Sequence, residues 1–165
     1  MGTEMNEPEP AAIIRRVAFW DLKAIARIEE ACYNNPWSQD QLEAMLIQPD
    51  LEGWGLYLGR RIRAYALLRF RTRHAFLETL TVHPRARRRG HGMALMQVLI
   101  DRAAQRGSRC IVTEVHETNL PAQLFYQRTG FEMVKVLHRY FDDGADAYLF
   151  SARVRVTQPA DEVCS

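Results

Sequence analysis

Midway along the chain, Val82-His83-Pro84-Arg85-Ala86-Arg87-Arg88-Arg89-Gly90-His91-Gly92-Met93-Ala94 ends a strand-like apolar run, turns through a basic loop and opens a helical pattern. This stretch limits the fold more than any other. Glycines at a strand-to-helix junction let backbone N–H groups converge with no Cβ in the way, forming a concavity for anionic oxygens. The helix start adds unpaired N–H donors and the positive end of the macrodipole. A phosphate or pyrophosphate suits such a place. A Walker A loop would need a lysine after a glycine, and none follows. A dinucleotide fingerprint would need a third glycine where Leu95 stands. Two other readings stay open here: a plain turn with a solvated basic face, and an arginine cluster that binds RNA.

The rest of the composition is that of an ordinary globular domain. A chain of 165 residues, 47% hydrophobic and 25% charged, excludes a collagen, a disulfide mini-protein and a wholly disordered chain. No apolar run approaches the roughly 20 residues that span a bilayer. The opening M-G-T-E-M-N-E-P-E-P lacks the basic and apolar regions of a signal peptide, and Asn6 does not fit a myristoylation site. A net charge of +2 is too small to argue for nucleic acid by itself. Cys32, Cys110 and Cys164 are odd in number and lack C-x-x-C spacing, so a reducing cytoplasm is expected, without a disulfide framework or zinc. The five histidines are scattered without ligand spacing, and no metal is expected. We expect flexible tails over residues 1–11 (acidic) and 157–165, around a single domain at residues 12–156.

Periodicity places a strand at Ile13–Val17 and a helix from about Trp20 to Cys32. Ser38 and Gln41 spell a capping box that opens a second helix ending before Pro49. Strand-like runs follow at Gly55–Gly59, Ile62–Phe70 and Ala75–Val82, then the loop at Arg85–Gly92 and a helix closed by Gly107. Arg109–His116 reads as a strand and Leu120–Thr129 as a short helix. Phe131–Phe141 and Ala145–Val154 read as a hairpin around Asp142-Asp143-Gly144. The order β-α-α-β-β-β-α-β-α-β-β predicts a mixed sheet with helices on its faces, class α+β (α/β by some schemes).

Alternation along Cys110–His116 puts Val112, Glu114 and His116 on one face, opposite Ile111, Thr113 and Val115. A carboxylate desolvated in mid-sheet would move toward general-base range; a Glu that reaches water would not. Asn119 and Tyr126 are two helical turns apart and share a face that could line a groove. Tyr126 also reads as a core aromatic beside Phe125, and Asn119 as a helix cap beside Pro121.

Arg87-x-x-Gly90-x-Gly92 resembles the [RQ]-x-x-G-x-[GA] signature of the GNAT superfamily of N-acetyltransferases, and the element order agrees across residues 13–154. That resemblance implies a mostly antiparallel seven-stranded sheet and acetyl-CoA as acetyl donor. The pyrophosphate would be wrapped by the loop Arg88, Arg89, Gly90, His91, Gly92 and Met93, the pantetheine would run along Leu80, Thr81 and Val82, and Arg87 would be a further cofactor contact. The run E-V-H-E-T-N-L-P-A-Q-L-F-Y-Q-R-T-G-F, with Asn35-Pro36-Trp37-Ser38 and the closing hairpin, resembles the bacterial ribosomal-protein-alanine N-acetyltransferases. By that resemblance Glu114 is the proton acceptor, Tyr126 the proton donor and Asn119 a coenzyme A contact. Trp37, His116 and Tyr140 would meet the acceptor, the N-terminus of a small-subunit ribosomal protein. His116 replaces the usual Arg, Phe141 a frequent Tyr and Thr118 a frequent Ser. Two other functions are weighed beside this one: a GNAT enzyme for lysine, polyamine or another small amine, and a non-catalytic RNA- or ribosome-binding module. A cytoplasmic monomer is expected, with no membrane and no direct nucleic-acid contact.

Overall fold

Seven strands form one sheet in the order β1-β2-β3-β4-β5-β7-β6 in the computed structural model, which describes residues 10–155. Residues 1–9 and 157–165 of the expected tails lie outside it. The strands are β1 (Ala12–Arg16), β2 (Leu51–Leu58), β3 (Arg61–Phe70), β4 (His74–Val82), β5 (Cys110–His116), β6 (Glu132–Leu137) and β7 (Ala147–Arg153). The helices are α1 (Leu22–Cys32), α2 (Gln39–Leu46), α3 (His91–Gln105) and α4 (Leu120–Arg128). Every neighbouring pair is antiparallel except β4 with β5. The α+β expectation holds in class, element order and strand direction.

Two helix pairs clothe the sheet on opposite faces. Leu95, Met96, Leu99 and Ala103 of α3, with Tyr126 of α4, pack on Ala64, Ala66, Leu68, Leu77, Ile111 and Val115. Leu22, Ile25 and Ile28 of α1, with Leu42 of α2, pack on Tyr57, Ile62, Tyr65 and Leu67. Alternation in β3 therefore feeds both cores at once. Each large side chain so buried contributes roughly 1.5–3 kcal/mol. The predicted capping box forms: the Gln41 amide donates to Ser38 Oγ at 3.2 Å, and the Ser38 amide to Gln41 Oε1 at 2.9 Å.

Three boundaries differ from the sequence reading. Strand β2 starts at Leu51 rather than Gly55, because Leu51–Trp54 pair with Ala66–Arg69 despite the glycine at position 53. The helix expected from Trp20 begins as a single 3-10 turn, Phe19–Asp21, before α1. The terminal hairpin stops at Leu137 and resumes at Ala147, so its connection is longer than the Asp142-Asp143-Gly144 turn. That turn sits at the tip, where the Gly144 amide donates to the Phe141 carbonyl at 2.9 Å.

Candidate active site

Strands β4 and β5 pair only from His74↔Cys110 to Phe76↔Val112, although β4 runs on to Val82 and β5 to His116. The Thr113 hydroxyl donates to the Leu77 carbonyl at 3.0 Å where the pairing ends. Beyond it the two strands part and leave a split in the sheet. At the same level a bulge breaks β4: Leu68 faces Leu77 while Leu67 faces Thr79, so Glu78 is the extra residue. A one-residue insertion reverses the alternation that follows. Leu80 and Val82 consequently pack with the α3 core, and Thr79 and Thr81 join Tyr33 on the α1 side.

The split ends at the basic loop. Arg88 and Gly90 both take left-handed backbone, with φ of 61° and 79°. Helix α3 follows, its first intrahelical bond running from the Ala94 amide to the Gly90 carbonyl at 3.0 Å. The amides of His91, Gly92 and Met93 thus precede the helical ladder and are free of it. A Cβ at Gly90 would meet nothing within 4 Å, whereas one at Gly92 would stand 3.1 Å from the Phe125 ring. The His91 ring is buried and its Nε2 has no partner. Left-handed residues, unladdered amides and an open cradle fit an anionic diphosphate. Arg87 turns away from that cradle: its Nε donates to the Val82 carbonyl at 3.0 Å and its Nη2 to Cys32 Sγ at 3.4 Å. Arg88, Arg89 and Met93 are exposed beside it.

Glu114 and Tyr126 reach the split from opposite faces. Burial alternates along β5 as expected, with Thr113 buried and Glu114 half-buried. Glu114 is therefore neither sealed in mid-sheet nor free at a strand end. Tyr126 is 7% exposed and packs on Phe131 and Phe150. Burial pushes its phenol up to about 12, a contact with Thr113 pulls it down in part, and Tyr33 pushes it up. Its hydroxyl thus faces the point where the strands part. Asn119 caps α4, accepting the Ala122 amide on Oδ1 at 3.2 Å, so the capping reading of this residue is realised. Its side chain remains exposed at the groove end of the helix.

A hollow of about 280 Å³ opens beside the split, lined by Glu29, Tyr33, Asn35, Trp37, Glu78 and Thr79. Trp37 forms part of its wall. Tyr140, half-exposed on the β6–β7 connection, lies against Glu114 and is pushed up to about 12 by that contact, then by burial and by Glu78. His116 is turned toward the same connection: Nε2 meets Asp143 Oδ2 at 3.0 Å and the ring stacks on Phe141 at 4.8 Å. Its Nδ1 takes the Thr118 amide at 3.2 Å. The sequence reading missed Glu29, Tyr33, Tyr65, Glu78 and Thr79. A signal existed for Glu29, which falls seven residues after Leu22 on the apolar stripe of α1.

Among the described residues no group of three or more His, Cys, Asp or Glu is placed to hold a metal ion, and no helix is long and apolar enough to cross a membrane. The Acetyltransferase (GNAT) family matches residues 22–131. A ribosomal protein bS18-alanine N-acetyltransferase of Escherichia coli is 28% identical over 121 residues, 73% of this chain and 81% of that one. The crystal structure of the ribosomal-protein-S18-alanine N-acetyltransferase from Escherichia coli superposes with a TM-score of 0.80 at 24% identity, over 94% of this chain and 100% of that one. The PaiA N-acetyltransferase from Thermoplasma acidophilum, solved in complex with coenzyme A, superposes with a TM-score of 0.72 at 16% identity, over 87% and 99%. These two structures share the fold.

Proposed function

The chain belongs to the acetyltransferase (GNAT) family, whose enzymes use acetyl-CoA, and from that premise we propose that it acetylates the α-amine of an N-terminal alanine on a small-subunit ribosomal protein. The observation that carries the reading is the split between β4 and β5, closed at one end by the Arg88–Met93 cradle and flanked by Glu114 and Tyr126. Acetyl-CoA supplies the activated acyl group as a thioester. The cradle amides would hold its diphosphate, Leu80–Val82 would lie along the pantetheine and Asn119, at the start of α4, would contact coenzyme A. Trp37, His116 and Tyr140 border the acceptor. Glu114 receives the proton of the attacking amine, directly or through water.

Tyr126 serves as a hydrogen-bond donor to the departing sulfur. Its phenol stands at about 12 and a free thiol near 8.5, so complete proton transfer would be uphill by roughly 5 kcal/mol. A hydrogen bond that strengthens as charge builds on sulfur avoids that cost. Holding donor and acceptor in one split supplies much of the remaining acceleration.

Two considerations support an α-amine. The relative of 28% identity carries the name of a ribosomal-protein-alanine acetyltransferase. Making an α-amine neutral at pH 7 costs about 1.4 kcal/mol, against about 4.6 for a lysine, so a half-buried Glu114 has little to supply in the first case. A second reading, a lysine, polyamine or other small amine as acceptor, draws on the acidic lining of the hollow by Glu29 and Glu78, which suits any ammonium. The proposed reaction runs in the cytoplasm. Incubation with acetyl-CoA and alanine-initiated peptides, followed by fragmentation mass spectrometry, separates the readings. We expect acetyl on the α-nitrogen, lost in Glu114→Gln and reduced in Tyr126→Phe. Faster transfer to internal lysine or spermidine would overturn the proposal.

A further inference from the structure

The hollow contains a carboxylate that the chemistry above does not use. Glu29 of α1 is 3% exposed and still lines the cavity. The Tyr65 hydroxyl donates to its Oε1 and the Trp37 amide to its Oε2, so both oxygens accept from neutral donors. No Lys, Arg or His among the described residues stands within ion-pair distance of it. The other fully buried carboxylates differ in this respect, as does Glu78 in the same hollow. Glu52 has Arg16 and Arg102, Asp21 has Arg15, and Glu78 has Arg69. None of the residues lining the hollow is a cation.

A carboxylate buried that deeply calls for a positive partner, because neutral hydrogen bonds replace only part of its hydration. The hollow that Glu29 lines gives such a partner access. We infer that Glu29 is the docking carboxylate for the ammonium group of the acceptor, a role that rests on the amine-acetylating reading above. The cation is drawn into the hollow as an ammonium and held there before it is neutralised next to Glu114. Docking of this kind strengthens ground-state binding, so it acts on KM more than on kcat. Glu29 is also fastened to the Trp37 backbone, which ties the charge to the wall that borders the acceptor.

The test compares two ligands that differ only in charge. The coenzyme-A-loaded protein is titrated with Ala-Ala-Ala-amide and with the analogue whose first residue is lactyl, a hydroxyl in place of the ammonium. The wild type is expected to prefer the ammonium peptide by about tenfold or more. Glu29→Gln should bind the two alike and Glu29→Asp should recover part of the preference. Coenzyme A affinity should be unchanged in both variants, and where turnover is seen the KM for the acceptor should rise with kcat within about twofold. The pair n-butylammonium and n-butanol repeats the comparison without a peptide, so a wrong acceptor class shows as lost peptide binding with the ammonium preference intact. An undiminished ammonium preference in Glu29→Gln overturns the inference. So does a variant that weakens both ligands and coenzyme A equally, since that is the mark of a structural role.

Discussion

His116 of β5 holds Asp143 of the β6–β7 connection at 3.0 Å through Nε2, while its Nδ1 takes the Thr118 hydroxyl at 2.8 Å. An N–H of the backbone also donates to Nδ1, so the ring proton sits on Nε2 and points at the carboxylate. The pair fastens the connection that lays Tyr140 against Glu114. His116→Ala is expected to speed amide exchange across residues 138–146 and to raise the KM for the acceptor severalfold, with coenzyme A affinity unchanged. The Ala145 amide and His116 hold the Asp143 carboxyl below the usual range. A depressed carboxyl contributes above its ordinary pKa of about 3.9 and loses that contribution as the pH falls through the folded value. The difference in exchange protection between wild type and variant should therefore shrink as the pH falls through the folded value of Asp143.

The cradle makes separate demands at its two glycines. Gly90→Val places a branched side chain in open space but at φ 79°, a strain of about 1–2 kcal/mol. Gly92→Val must also displace the Phe125 ring, 3.1 Å from the added Cβ, and so disturbs the packing of α3 on α4. Both should lower coenzyme A affinity more than tenfold by isothermal titration, with the greater loss of melting temperature in Gly92→Val. An unchanged affinity in Gly90→Val would remove the cradle from the account.

Tyr126 gives a pH signature. Burial keeps its phenol protonated up to about 12, so the alkaline limb of kcat should show no ionisation from this group below about pH 11. Tyr126→Phe should cut kcat by about 10²-fold with the shape of the profile unchanged. A limb near pH 10 that disappears in the variant would contradict the desolvated site described here.

Glu52 anchors the far side of the sheet. Arg102 reaches it with two bonds of 2.7 and 2.8 Å, Arg16 with one of 3.0 Å, and Trp54 Nε1 donates at 3.2 Å. Burial pushes this carboxyl up, but the arginines and the indole outweigh it and the net direction is down. Glu52→Gln should cost about 2–3 kcal/mol in denaturant unfolding and leave coenzyme A affinity intact. Since the folded pKa lies below the usual value of about 4.3, the difference between wild type and variant should fade as the pH drops below it.

What the sequence made legible was whatever local physics decides. The Ser38–Gln41 box, the alternation of β5 and the glycine before α3 all came from spacing a few residues long, and the structure realises each. The bulge at Glu78 left no such mark, because the register slip is set by the pairing of β3 with β4 and not by any turn residue nearby. For the same reason no local spacing signals the contact between the Thr79 and Thr81 hydroxyls at 3.0 Å. Nothing in the alternation of β3 marks the Tyr65 hydroxyl as the partner of Glu29; that pairing appears only once α1 packs on the strand. The turn of Arg87 back onto Val82 likewise depends on Cys32, 55 residues earlier in the chain.

Intact-mass analysis of ribosomal proteins from cells with and without this gene tests the central claim most directly. The account predicts one small-subunit protein that gains a single acetyl group on its N-terminal alanine only when the gene is present, and loses it when Glu114→Gln replaces the wild type. Identical masses in all three strains, or an acetyl group that persists without the gene, would contradict it.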